Sequence, residues 1–408
     1  MSTPTAGLSG HSWALGRGRT NNFDFLRFIL AAIVVYTHSL YLLRGYRYTA
    51  QYDLFRRLTH GWAGGGNLAV DAFFAISGFL IVHSWLHSSS AWVYLQKRVA
   101  RIYPAFMVVS LFCLFVVAPL AISPPSGVWQ VISVPRYLFD TLSLLVDNPS
   151  GAFARNPVHE LNGATWTVIF EFWFYLGVML LGSLGVYRRP TILLGLLAGS
   201  LLLCGLQQEL KLPFLDRGDF RAHIPIPFSG HWPRLGSFFL SGVCCYFYRE
   251  RIPVRGRLFA AAAGILLVSC FLGRGIWLTM PLCGTYLLFS VAFSSRLKFH
   301  RFARHGDLSY GVYLYAWPIQ QLLVQFLKPH FNPYTLFLTA LPLSCACAFA
   351  SWHWVEKPWL ARKPQSKKIP LAPVLDEERE MALSRLYPGR LAPHPRISAA
   401  NPGSTGLD

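Results

Sequence analysis

The sequence predicts an all-α, polytopic membrane protein with about ten transmembrane helices, and three observations carry that reading. Hydrophobic residues make up 53% of the 408-residue chain and charged residues only 13%, against about 25% charged in a typical soluble domain. The apolar residues arrive in blocks of membrane-spanning length instead of alternating with polar ones. The Lys and Arg behind the net charge of +19 crowd the short segments between alternate blocks, as topology demands of cytoplasmic loops. Nucleic-acid binding is set aside on that last ground.

A span needs about 20 apolar residues, and ten stretches qualify: 23–43, 68–86, 101–122, 166–187, 190–207, 234–248, 257–273, 275–294, 308–328 and 334–355. The first reads FDFLRFILAAIVVYTHSL over 23–40. No small-residue cleavage site follows it, so it is a retained helix and not a signal peptide. The sixth is short, and the seventh and eighth are parted only by the Gly273-Arg274-Gly275 turn. Arg17, Arg19, Lys97, Arg98, Arg101, Arg188, Arg189, Arg249, Arg251 and Lys357 fall on the side of the N-terminus. Both termini are therefore expected in the cytoplasm, with the spans in the inner membrane. Two longer outer loops, roughly 123–165 and 208–233, hold aromatics, acids and histidines, among them Trp129, Asp147, Glu160, Asp219, His223 and His231; loops of that length are commonly functional or disordered. The organisation that follows is a cytoplasmic segment at 1–21, a membrane domain at 22–360, and a Pro-, Ser- and Arg-rich tail at 361–408 read as disordered. The eight cysteines sit in or beside apolar blocks without zinc-type spacing, so neither a disulfide framework nor a metal site is indicated.

Chemistry enters with the polar residues inside those spans. Asp24, Arg27 and His38 lie in the first one, where an ionisable group costs roughly 2.5–3.5 kcal/mol on insertion scales. Asp24 and Arg27 are one turn apart and can pair. Arg27 and His38 are eleven residues apart, three turns plus about 20°, which places His38 about 16.5 Å further along the same stripe. A stripe like that faces a bundle interior or a wet cavity, not lipid. The fourth span carries Glu171 near its outer end, at a depth similar to that of His38, so an imidazole and a carboxylate could serve as a base and its orienting partner. Asp71, Ser77 and Gly78 in the second span suggest close helix packing or a backbone approach to a ligand. Arg98 and Arg101 stand one turn apart at the inner boundary beside Lys97, an arrangement that suits phosphate groups but is also ordinary positive-inside charge. Tyr310, Tyr313, Trp317 and Gln320, taken singly, read as interface anchors.

Together these stretches resemble the acyltransferase-3 family of integral membrane acyltransferases. The family's arginine, ten residues, histidine signature is matched by Arg27 and His38, preceded by the acid Asp24. FFAISGFLI at 73–81 is similar to its FF-x-x-SGFLI, and RVAR at 98–101, followed by Ile102 and Pro104, to its R-x-x-R. TWTVIFEFWFY at 165–175, SYGVYLYAWPI at 309–319 and VEKP at 355–358 match its later motifs in order. Ala316 stands where many relatives have histidine, and Thr167 where serine is commoner.

The resemblance implies an acyl donor, typically acetyl-CoA, bound from the cytoplasm and a carbohydrate hydroxyl presented from the other side. Arg98, Arg101, Lys97 and the nearby Ser77 would hold the donor. Arg27 with Asp24 would mark its entrance, and His38 would deprotonate the hydroxyl or take the acyl group itself, with Glu171 in support. Some relatives complete the transfer with a fused esterase-like domain. This sequence has none, so it is expected to acylate its acceptor directly or with a separate partner. The competing reading is a proton-coupled transporter or flippase. Against it, no paired broken helices occupy matching positions of two halves.

Overall fold

The computed structural model describes residues 21–124, 127–145, 148–210, 230–294, 296–299 and 302–361. The expected tail at 361–408 after its first residue, nearly all of the 1–21 segment, Asp147 and residues 211–229 of the second outer loop lie outside the described residues. The described residues are all helical in class, with no strand among them.

The long helices are α1 (Phe23–Arg44), α2 (Gly65–Leu86), α3 (Ala91–Phe112), α4 (Val168–Ser183), α5 (Thr191–Leu210), α6 (His231–Tyr248), α7 (Gly256–Leu272), α8 (Ile276–Ala292), α9 (Ser309–Leu327) and α10 (Pro333–Ser351). Six are long and apolar enough to cross a membrane: α1, α2, α3 with its continuation to Ala121, α4 with the 3₁₀ turn before it, α5, and α10 with its continuation to Ala361. The chain is therefore an integral membrane protein. The expected spans at 234–248, 257–273, 275–294 and 308–328 are also helical, as α6 to α9, but shorter or more polar. For α9 the reason is position. Thirteen of its residues are buried, Gln320 and Gln321 among them, so it needs no continuous apolar face toward lipid.

Helix limits follow local chemistry. α1 stops where Gly45 takes φ 82°, a left-handed conformation costly to other residues. α3 starts ten residues before the predicted 101 because Ser90 caps it, its side chain accepting from Val93 N–H. Its first three turns carry Lys97, Arg98 and Arg101 as a polar extension of the apolar span. α10 opens on a capping box between Asn332 and Thr335. One-turn π segments interrupt α3 (Cys113–Val117), α8 (Met280–Gly284) and the end of α10 (Trp352–Glu356), a feature frequent near functional sites.

α1 packs on α2, α9 and α10, while α6 lies along α2. At the α2–α6 crossing a Cβ on Gly78 would strike the backbone carbonyl of Phe239, and one on Gly242 the carbonyl of Ala75. Two glycines thus let the backbones touch, the packing reading of Gly78. The same helices share a buried ion pair, Arg234 Nε donating to Asp71 Oδ1 at 3.1 Å. Between α1 and α2 two short helices, Tyr46–Tyr52 and Leu54–Leu58, fold over one end of the bundle. Asp53 caps two helices at once, accepting from Arg56 N–H at 3.1 Å and from Gly65 N–H at 2.9 Å.

Candidate active site

Arg27 lies in the second turn of α1 and faces α3 and the start of α9. Asp307, just before α9, holds it there: one carboxylate oxygen accepts from Arg27 and, at 2.6 Å, from Arg101 Nη2. The other oxygen accepts from the backbone N–H and hydroxyl of Ser309. Burial alone would raise the Asp307 carboxyl, but the guanidiniums of Arg27 and Arg101 and the Ser309 hydrogen bonds outweigh it and hold the group well below the usual carboxylate range. The π turn at the end of α10 brings Glu356 to 3.9 Å from Arg101 as well. Arg98, one turn from Arg101, donates to Ser84 Oγ at 3.2 Å and lies between the rings of Tyr94 and Tyr175 at 5.9 and 5.6 Å. Its Nε is buried without a hydrogen-bond partner among the described residues.

These side chains border a cavity of about 260 Å³, lined by Arg27, Arg98, Arg101, Glu171, Ser77, Tyr175, Tyr310 and Tyr313 together with apolar residues of α2 and α4. Three guanidiniums line it, but Asp307 already pairs with Arg27 and Arg101; Arg98, which has no carboxylate partner among the described residues, is the one open to an anionic guest. The cavity's volume falls just under the usual ligand range of about 300–1,000 Å³, the size for a slender chain and not a whole nucleotide conjugate. Glu171 accepts from Tyr175 O–H, one turn on, and more weakly from Ser77 Oγ at 3.5 Å.

His38 lies toward the other end of α1 and lines a second cavity, about 480 Å³, with Tyr41, Asn67, Asp53, Arg56, Glu160, Trp166, His231 and Trp317. The imidazole meets the Trp317 ring edge-on, centroids 4.7 Å apart at 80°. Its Nδ1 is buried and has no hydrogen-bond partner among the described residues. Trp317 Nε1 donates to the backbone carbonyl of Glu160 at 3.2 Å, and Gln321 Nε2 to the same oxygen at 2.9 Å. Glu160 is thereby tied to α9 from the loop before α4, and burial pushes its carboxyl up. Gly163 is required beside it, because a Cβ there would collide with the Glu160 carboxylate and the Trp317 indole.

The sequence-predicted residues divide between these two spaces. Arg27, Arg98, Arg101, Ser77 and Glu171 share the first cavity and His38 stands in the second. The expected His38–Glu171 pairing is not among the hydrogen bonds of the described residues; Glu171 bonds to Tyr175 and Ser77 instead. Lys97 donates to Ser88 Oγ at 3.0 Å and borders neither cavity. Asp24 is half-buried in the first turn of α1 and also borders neither. Tyr313, Trp317 and Gln320, read singly as interface groups, are interior: Gln320 is fully buried and donates to Val35 O and Ser39 Oγ at 3.0 and 2.6 Å. Asp307 was not anticipated. The available signal was an acid two residues before the SYGVYLYAWPI motif, in a loop whose depth the sequence does not reveal.

A family profile described as "Acyltransferase domain" matches residues 20–353. The chain is 28% identical over 349 residues to a protein named O-acetyl transferase from Shigella phage Sf6, covering 84% of this chain and 97% of that one. It is 27% identical over 367 residues to Nodulation protein 10 of Rhizobium leguminosarum bv. viciae, covering 84% and 93% respectively. No solved structure matches.

Proposed function

The chain belongs to the acyltransferase-3 family and is an O-acyltransferase, and from that premise we propose that it moves an acyl group, acetyl first of all, from cytoplasmic acyl-CoA to a hydroxyl of an extracytoplasmic carbohydrate. The phage relative is named for O-acetyl transfer, which supports acetyl as the group moved. The observation that carries the reading is the pair of cavities placed along α1, one bordered by three guanidiniums and the other by His38.

On this reading all ten long helices cross the inner membrane, residues 22–360 form the catalytic domain, and both termini face the cytoplasm. Arg98 and Arg101 bind the donor's phosphate groups through charge-assisted hydrogen bonds, and the pantetheine arm runs through the first cavity past Arg27. Asp307 keeps Arg27 and Arg101 side by side and fixed in direction. The acceptor enters the second cavity, where Trp166, Trp317 and Tyr46 offer flat faces to sugar rings and Asp53, Glu160 and Asn67 offer hydrogen bonds. His38 takes the proton of the acceptor hydroxyl as its oxygen attacks the thioester carbonyl. The new C–O bond forms, the C–S bond breaks, and the proton passes to the departing thiolate. General-base help of this kind is worth ~10²–10⁴-fold. Glu171, held by Tyr175, offsets the guanidiniums that remain beside the thioester.

Mass spectrometry of envelope carbohydrates with and without the protein tests the assignment. A mass gain of one acetyl group that depends on the protein is the expected result. Identical carbohydrate profiles, with the protein present in the membrane, would overturn it.

A further inference from the structure

The two cavities adjoin at two side chains. Val70 of α2 and Tyr313 of α9 line both, and among the described residues no other side chain does. Both are buried, at 6% and 8% exposure. The Tyr313 ring is held at its far end: the O–H donates to the carbonyl of Ala164 and bonds with Thr167 Oγ1 at 2.7 Å. Both anchors belong to the 3₁₀ turn Gly163–Thr167 that opens α4. The Phe73 ring lies edge-on at 6.4 Å. Val70 is β-branched and so stiff at χ1. The junction is therefore built from two side chains with little rotational freedom.

We propose that Tyr313 and Val70 form a partition that sets the acyl length the enzyme accepts and keeps water of the acceptor cavity away from the thioester. The proposal rests on the donor and acceptor assignment above. A thioester on the arginine side must present its carbonyl carbon to a hydroxyl on the His38 side, so the reacting atoms meet at this wall. Whatever extends beyond the carbonyl carbon then lies against Tyr313 and Val70, where each added methylene competes with fixed atoms. One methylene in an apolar site is worth roughly 10–200-fold in discrimination. The acceptor cavity is polar enough, through Asp53, Arg56, Asn67 and Glu160, to hold water before an acceptor arrives. Water that reached the thioester would form a C–O bond with the carbonyl carbon as the C–S bond broke. Its proton would pass to the thiolate, leaving a free carboxylic acid and a free thiol.

The test uses the purified full chain in detergent, with acetyl-CoA and butyryl-CoA as donors and envelope carbohydrate extracted from cells lacking the protein as acceptor, and follows both acylation of that carbohydrate and carbohydrate-independent release of thiol. For Tyr313→Ala, release of thiol without acceptor is expected to rise by about tenfold, with the acetyl-over-butyryl preference falling by a similar factor. Val70→Ala should move both readouts in the same direction, and it decides alone if the tyrosine variant does not fold. Tyr313→Phe keeps the ring and loses only its anchors, so it should fall between parent and Tyr313→Ala. Folded Tyr313→Ala and Val70→Ala proteins with the parent's hydrolysis and the parent's acyl preference would overturn the partition. A parent that transfers no acyl group from either donor would refute the assignment of the cavities, and the partition with it.

Discussion

Replacing Asp307 with Asn keeps the shape of the side chain and removes its charge. In the structure that carboxylate accepts from Arg27 and Arg101 on one oxygen and from Ser309 on the other, and its side chain is only 14% exposed. A hydrogen bond to a charged group is worth about 1.5–3 kcal/mol, and Asp307 makes two to guanidiniums. Removing one partner of a buried ionic cluster costs about 3–5 kcal/mol because the remaining charges are left unpaired. Arg27 and Arg101 are 21% and 18% exposed, so the loss should fall at the lower end of that range. Glu356 does not replace the missing carboxylate, since it reaches Arg101 only at 3.9 Å and at Nη1, not at the Nη2 that Asp307 holds. Thermal unfolding in detergent should show a clearly lowered midpoint for Asp307→Asn. A double-mutant cycle with Arg27→Gln should return a coupling of about 0.5–3 kcal/mol. The sign with pH is also set. Because the folded carboxyl sits below its unfolded value, its contribution is complete above about pH 4 and is lost only as pH falls further. Parent and variant should therefore differ in midpoint by a constant amount from neutral pH down to the unfolded carboxylate pKa, then converge. A variant as stable as the parent, or a gap that closes between pH 8 and 6, would refute this account of the cluster.

Arg98→Ala should raise the apparent KM for the acyl-CoA donor more than that for the acceptor, measured by initial-rate kinetics with each substrate varied in turn. Equal changes in both would remove Arg98 from donor binding. Gly242→Val should destabilise the fold by at least the ~1–3 kcal/mol typical of overpacking, because the added carbon meets the carbonyl of Ala75 and not a movable side chain; a thermal midpoint equal to the parent's would contradict the close α2–α6 approach. Gly163→Ala should impair acceptor use while leaving donor binding near the parent's, since the displaced groups are Glu160 and Trp317 of the His38 cavity. Isothermal titration with a non-hydrolysable acyl-CoA analogue, alongside acceptor kinetics, checks that separation.

The all-helical membrane architecture was legible because composition and block length report on burial in lipid directly, without reference to tertiary contacts. Arg27 and His38 were legible together because helical periodicity alone puts them on one stripe. Their assignment to different cavities was not, since that depends on Val70 and Tyr313 arriving from α2 and α9. The same limit applies to Glu171. Equal depth in the membrane suggested a pairing with His38, but depth carries no information about azimuth, and the carboxylate turns instead to Tyr175 on its own helix and Ser77 on α2. Asp307 could not be paired with Arg27 from the sequence because 280 residues separate them. The early start of α3 was readable in principle from Ser90, a capping residue followed by a helix-compatible run, but the apolar window hides a helix that begins with polar turns. Lys97 and Arg98 look equivalent as neighbours in sequence. The 100° between successive helical positions sends one to Ser88 and the other between two tyrosine rings.

On the proposed assignment, donor and acceptor approach from opposite sides of the membrane and react at His38. The most direct measurement uses the full chain reconstituted in sealed vesicles, with a membrane-impermeant acyl-CoA on one side and an impermeant carbohydrate acceptor on the other. Acylated acceptor should form across the intact bilayer, and the His38→Ala protein, incorporated to the same level, should form none. Product that appears only when both substrates share a compartment, or that His38→Ala still makes at the parent's rate, would contradict it.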